Sequence, residues 1–148
     1  MKYNSIQDIL NICEETGKPF WRVIMEEDMQ ESAMSETSSF EKMREMYRAM
    51  ADADRNYDAG LKSESRMTGG DGQKLHEYNE AGRNLCGDFV GLAMEKAIKM
   101  GESNACMRRI VAAPTAGACG VIPAVLLSYQ ELYLSLIHIS EPTRPRLI

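Results

Sequence analysis

The stretch Leu85-Cys86-Gly87-Asp88-Phe89-Val90-Gly91-Leu92-Ala93-Met94-Glu95-Lys96-Ala97-Ile98-Lys99-Met100-Gly101 decides the fold class. Leu85, Phe89, Leu92, Ala93, Ala97 and Met100 recur three or four residues apart, so the spacing predicts an amphipathic helix with one apolar face, closed by Gly101. The same pattern extends outward in both directions. Upstream, Ser5-Ile6-Gln7-Asp8 reads as a capping box leading into Ile6, Ile9, Leu10 and Cys13, with Thr16-Gly17 as the stop. Pro19 suits the first turn of a second helix carrying Phe20, Trp21, Ile24, Met25 and Met29. Residues 30–39 read as a polar loop. Ser38-Ser39-Phe40-Glu41 opens a third helix, along which Phe40, Met43, Met46, Tyr47, Met50 and Tyr57 recur until Gly60. Downstream, Val121–Tyr133 is strongly apolar and helical. The expectation is an all-α, mostly helical fold with glycine-rich loops placed just before helices. Most of the 11 methionines fall on these stripes as flexible core filler.

Composition narrows the function classes. The 148 residues amount to about one domain, with 44% hydrophobic and 26% charged residues, a soluble globular balance. The net charge of -5 leaves no basic excess for phosphate contacts, which disfavours nucleic acid as a partner. Residues 1–60 hold 7 basic and 13 acidic side chains against 10 and 9 in 61–148, which predicts an acidic face near the N-terminus. No apolar run approaches the roughly 18 residues of a membrane span, and the first residues lack the apolar centre of a signal peptide. A cytoplasmic location without membrane contact is the expectation. Four cysteines are too sparse for a disulfide scaffold.

Two loops concentrate small residues before helices. In Thr68-Gly69-Gly70-Asp71, bare backbone lets a ligand approach closely, and successive amides at a helix N-terminus suit a carboxylate or phosphate, with Lys74 one turn on as counter-charge. An ordinary glycine-rich turn with Asp71 as N-cap explains the same residues. The spacing is not that of a P-loop. In Pro114-Thr115-Ala116-Gly117-Ala118-Cys119-Gly120, Cys119 opens an apolar helix, where the helix field favours the thiolate that attacks carbon or binds metal. A small cysteine packing a tight turn is the alternative. Cys106 and Cys119 have no CxxC partner, which argues against a zinc site. His76 falls on a polar helix face exposed to solvent, which weakens a Cys-His-Asp triad, while Cys13 and Cys86 lie on core stripes.

Arg109-Ile110-Val111-Ala112-Ala113-Pro114-Thr115-Ala116-Gly117-Ala118-Cys119-Gly120-Val121-Ile122-Pro123-Ala124-Val125-Leu126 resembles the signature of the iron–sulfur L-serine dehydratases. Thr68-Gly69-Gly70-Asp71 followed by Lys74-Leu75 resembles a second segment of that family, in the right order. The likeness is to the N-terminal part of the alpha chain, or alpha domain in fused forms, and covers most of residues 1–133. It implies an L-serine ammonia-lyase that forms pyruvate and ammonia with a 4Fe-4S cluster and no pyridoxal phosphate. Three cysteines would hold three irons, leaving the fourth open as a Lewis acid toward the substrate. The resemblance makes Cys119 a candidate metal ligand and Thr68, Gly69, Gly70, Asp71, Lys74, Thr115, Ala116 and Gly117 candidates for the substrate pocket. It names no general base. Ala116 stands where some relatives carry Asn. L-Serine, a beta chain or beta domain and a homo-oligomeric assembly are the implied partners.

Residues 134–144, Leu-Ser-Leu-Ile-His-Ile-Ser-Glu-Pro-Thr-Arg, resemble the translation of a transposase adapter from sequencing-library preparation. The expectation is therefore a truncated catalytic domain over 1–133 and a non-native tail over 134–148, with the remaining cluster cysteines encoded downstream and the 148 residues inactive alone. Two other functions fit these residues. One is a cysteine desulfidase-type lyase, separable by turnover of cysteine against serine. The other is a non-catalytic helical interaction module, which would take up no iron.

Overall fold

Helix α1 spans Ile6–Thr16 and begins at the expected cap. The Ser5 hydroxyl accepts the Asp8 amide at 3.2 Å, and the Asp8 carboxylate accepts the Ser5 amide at 3.1 Å. Such a box contributes about 1 kcal/mol. Gly17, at φ +67°, ends the helix by donating its amide to the Cys13 carbonyl. Pro19 lies at the N-cap of α2 (Phe20–Glu31), one position before the first turn. These elements come from a computed structural model that describes residues 3–134. Among those residues it has six α-helices and one 3-10 turn, an all-α architecture as the sequence predicts. Residues 135–148, and with them nearly all of the adapter-like stretch, lie outside the described residues.

The chain divides into two units, residues 1–46 and 47–148, the division falling inside α3 (Glu36–Arg55). In the first unit α1 packs on α2, burying Ile9 and Val23. Helix α3 starts before the predicted Ser38-Ser39, because Ser35 provides the cap: its hydroxyl accepts the Ser38 amide at 3.2 Å. Arg22 then grips Glu36 with two hydrogen bonds of 2.6 and 3.0 Å and reaches Glu26 at 3.1 Å. The Arg22 guanidinium holds the Glu36 carboxyl below the usual carboxylate range. The methionine stripe does not become core here. Phe20, Trp21, Ile24, Phe40 and Met43 line an open apolar groove of about 690 Å³.

In the second unit α5 (Asp88–Ala105) is central, packed against α4 (Asp71–Glu80) and α6 (Val121–Tyr133). Met100, 1% exposed, and Ala124 and Leu127 are buried where α5 and α6 meet. Gly120 makes this approach close, since a Cβ there would lie 2.7 Å from the Ala97 carbonyl oxygen. Lys96 is buried on α5 and bonds Asp54 at 2.8 Å and Glu131 at 3.0 Å, tying α3 and α6 to one ammonium. Burial works against that charge, but the two carboxylates outweigh it and hold the Lys96 pKa above its ordinary value.

Two sequence expectations for α5 are corrected. Leu85 lies before the helix and is 96% exposed; the first helical residue is Asp88, after Gly87 at φ +80°. Gly101 does not close the helix, which runs on to Ala105. A helical glycine costs only about 1 kcal/mol, and the added turn buries Glu102 and Ser103. No described helix is long and apolar enough to cross a membrane.

Candidate active site

The first glycine-rich loop is built from its own backbone outward. Ser63 donates its amide to the Thr68 carbonyl at 2.9 Å, and the Ser63 hydroxyl accepts the Thr68 amide at 3.2 Å. Lys62 Nζ caps the Gly69 carbonyl. Gly69 has φ +135°, and a Cβ there would lie 2.3 Å from the Leu61 carbonyl oxygen, so only glycine fits. Gly70 is the N-cap of α4 and Asp71 its first residue.

The N-terminus of α4 is already occupied by an anion from the chain itself. Glu102, 4% exposed, accepts the Asp71 amide at 2.7 Å and the Gly72 amide at 3.1 Å. Tyr57 donates its hydroxyl to the same carboxylate at 2.5 Å. Burial, and then this hydrogen bond, push the Tyr57 phenol up to about 12. Lys74 pairs with Asp71 at 2.8 Å in an exposed bridge, so its charge already has a partner within its own helix. The void between Tyr57, Gly69, Glu102 and Arg108 is about 10 Å³, too small for an amino acid. A larger cleft of about 410 Å³ opens nearby, lined by Asp52, Asn56, Ser103, Arg108 and Arg109.

His76 is half-buried rather than solvent-exposed. Its Nδ1 lies 2.9 Å from Glu95, which also accepts Lys99 at 2.6 Å and Asn79 at 3.1 Å. Burial of Glu95 opposes ionisation, but Lys99 and Asn79 prevail and hold the carboxyl below its usual range.

The second loop runs from Arg109 without regular structure into the 3-10 turn at Ala116–Ala118, with Pro114, Thr115, Ala116 and Gly117 exposed. Asn104 of α5 donates to the Ala116 carbonyl at 3.0 Å. Both loops are thus fastened to the C-terminal end of α5, Thr68–Asp71 through Glu102 and Thr115–Gly117 through Asn104. Cys119 is different in kind. It is 2% exposed, with its sulfur 4.0 Å from the Met100 carbonyl, and burial pushes its thiol pKa up, against the helix field. Among the described residues no three His, Cys, Asp or Glu side chains form a group that could hold a metal. One buried sulfur does not fit a complete cluster.

Comparison with known proteins adds to this geometry. The family of the serine dehydratase alpha chain matches residues 15–142. The chain belongs to that family. Its relatives include the L-serine dehydratase alpha chain of Peptoniphilus asaccharolyticus, 34% identical over 131 residues, covering 88% of this chain and 45% of the relative. The probable L-serine dehydratase alpha chain of Bacillus subtilis (strain 168) is 29% identical over 146 residues, covering 99% and 46%. This serine dehydratase alpha-family chain therefore spans about half the length of the curated relatives it matches. No solved structure gives a significant match. Sequence reasoning did not single out Glu102, Tyr57 or Asn104, whose side chains make the hydrogen bonds around the two loops. A helix stop at Gly101 leaves Glu102 and Asn104 beyond the helix, and Tyr57 falls on the apolar stripe of the third helix.

Proposed function

We propose that this chain is the N-terminal stretch of an L-serine dehydratase alpha chain that, with a beta chain, converts L-serine to pyruvate and ammonia in the cytoplasm. The observation that carries the reading is the family match over residues 15–142, which includes both glycine-rich loops. Net, serine loses water across its α and β carbons, and the resulting enamine takes up water to release ammonia and pyruvate. Thr68, Gly69, Gly70, Asp71, Lys74, Thr115, Ala116 and Gly117 are the proposed substrate-contacting positions. Their support is that all but Lys74, which follows one turn into α4, lie on or at the end of two loops with glycine-cleared backbone, both hydrogen-bonded to one end of α5. The 4Fe-4S cluster belongs to the same proposal, its ligands drawn from outside the described residues, with Cys119 as the single cysteine offered from within.

The test uses the alpha chain completed to the length of its relatives, purified anaerobically with a beta chain. Pyruvate formed from L-serine is the expected result. No turnover by iron-loaded enzyme, or turnover of L-cysteine in its place, overturns the reading. Cys119→Ser in that enzyme is expected to lower iron bound per chain. Undiminished iron removes Cys119 from the ligand set and leaves it as packing between α5 and α6.

Residues 134–144 are proposed to be adapter-derived. The family match reaches 142, so a long unfragmented sequencing read across codons 131–134 is decisive. Continuation into further glycine-flanked cysteine codons is expected, and a frame that closes in this same tail overturns the proposal.

A further inference from the structure

Helix α4 lacks a side-chain cap of its own, because its N-cap residue is Gly70. The usual solution, Ser, Thr, Asp or Asn at that position, is local and inexpensive. This chain instead brings Glu102, 31 residues away from Asp71, and buries it. A buried carboxylate is costly to desolvate unless it is fully partnered. Here three donors converge on it: the Asp71 and Gly72 amides and the Tyr57 hydroxyl. Gly72 lets α4 come this close, since a Cβ there would meet Lys99 Cγ at 2.6 Å and the Tyr57 hydroxyl at 3.2 Å. With Glu102 accepting the first amides of α4, the N-cap position can remain glycine. Two residues further along α5, Asn104 holds the Ala116 carbonyl at 3.0 Å. The two anchor residues are separated by about 3 Å of helix rise and about 200° around the helix axis, so they hold the loops from different faces of the same turn.

We propose that Glu102, backed by Tyr57, and Asn104 are positioning residues, each holding one of the two glycine-rich loops to the last turn of α5. This rests on the serine dehydratase reading for the identity of the substrate. Neither residue touches the reacting atoms. A consequence is that the first amides of α4 are not free for the substrate carboxylate, which needs another donor.

The test uses the completed alpha chain with its beta chain and three variants, Glu102→Gln, Tyr57→Phe and Asn104→Ala. Hydrogen exchange is followed in peptides covering 68–73 and 114–120, with 121–133 as internal reference, alongside steady-state kinetics with L-serine. Glu102→Gln keeps the side-chain shape but leaves one amide without an acceptor. Losing one such bond corresponds to about a tenfold effect. Exchange in 68–73 is expected to rise about that much while 121–133 is unchanged, with KM rising by a similar factor and kcat nearly constant. Tyr57→Phe is expected to do the same more weakly, and Asn104→Ala to act on 114–120. Acceleration spread evenly through 121–133 reduces these residues to general stabilisers and overturns the proposal, as does an unchanged KM. Wild-type enzyme that leaves serine untouched refutes the serine reading instead, and exchange alone then decides whether the tethers hold the loops.

Discussion

Gly69→Ala is expected to destabilise residues 47–134 by about 2–6 kcal/mol. Two independent terms add. At φ +135° the backbone sits where L residues with a Cβ rarely go, at about 1–3 kcal/mol. The new Cβ would also lie 2.3 Å from the Leu61 carbonyl oxygen and 3.2 Å from its carbon, both backbone, so no rotamer change relieves the overlap. Forced displacement of this kind costs about 1–3 kcal/mol. Gly82→Ala separates the terms. Gly82 has φ +66° but nothing within 4 Å of the built Cβ, so it should lose only about 1–2 kcal/mol. Urea unfolding followed by far-ultraviolet circular dichroism makes the comparison. A Gly69→Ala midpoint no lower than that of Gly82→Ala would refute the close approach.

Gly120→Ala carries the second large effect, about 1–3 kcal/mol. Gly120 has φ -83°, so any residue can adopt its backbone, and the whole cost arises from the crossing of α5 and α6. The added methyl would lie 2.7 Å from the Ala97 oxygen and 3.3 Å from its Cα, forcing the helices apart around Met100 and Cys119. Gly117 provides the contrast within the same motif. A Cβ there has only the Thr115 hydroxyl within reach, at 3.9 Å, so Gly117→Ala should change stability by less than about 0.5 kcal/mol. If Gly117→Ala unfolds the chain as readily as Gly120→Ala, the packing account fails. If Gly117→Ala folds normally and loses serine turnover, the loop serves a ligand rather than the core.

These glycines mark the limit of what local sequence conveys. The first helix was legible because Ser5 and Asp8 cap each other within one turn, and Gly17 ends it alone. The start of α3 was not, because Ser35, Ser38 and Ser39 are chemically equivalent caps and packing chooses among them. Gly101 carried the opposite error: its small local penalty is overridden by burial of Glu102 and Ser103. The methionine stripe predicted contact without fixing its partner, so Met50 and Met100 are buried while Met43 faces the groove. At the site, loop composition located both candidate segments. The first is fastened to α5 across the 31 residues between Asp71 and Glu102, and the second across the 12 between Asn104 and Ala116, separations at which periodicity carries no signal.

Trp21 is the single indole of the chain, and it sits half-exposed on the wall of the apolar groove between α2 and α3. The groove therefore comes with a built-in optical reporter, and the rest of the chain is silent at the same wavelengths. Water against that ring gives red-shifted emission. An apolar group seated against the ring would move the emission to the blue. One spectrum thus reports on the groove of residues 1–46 without a label or a further substitution.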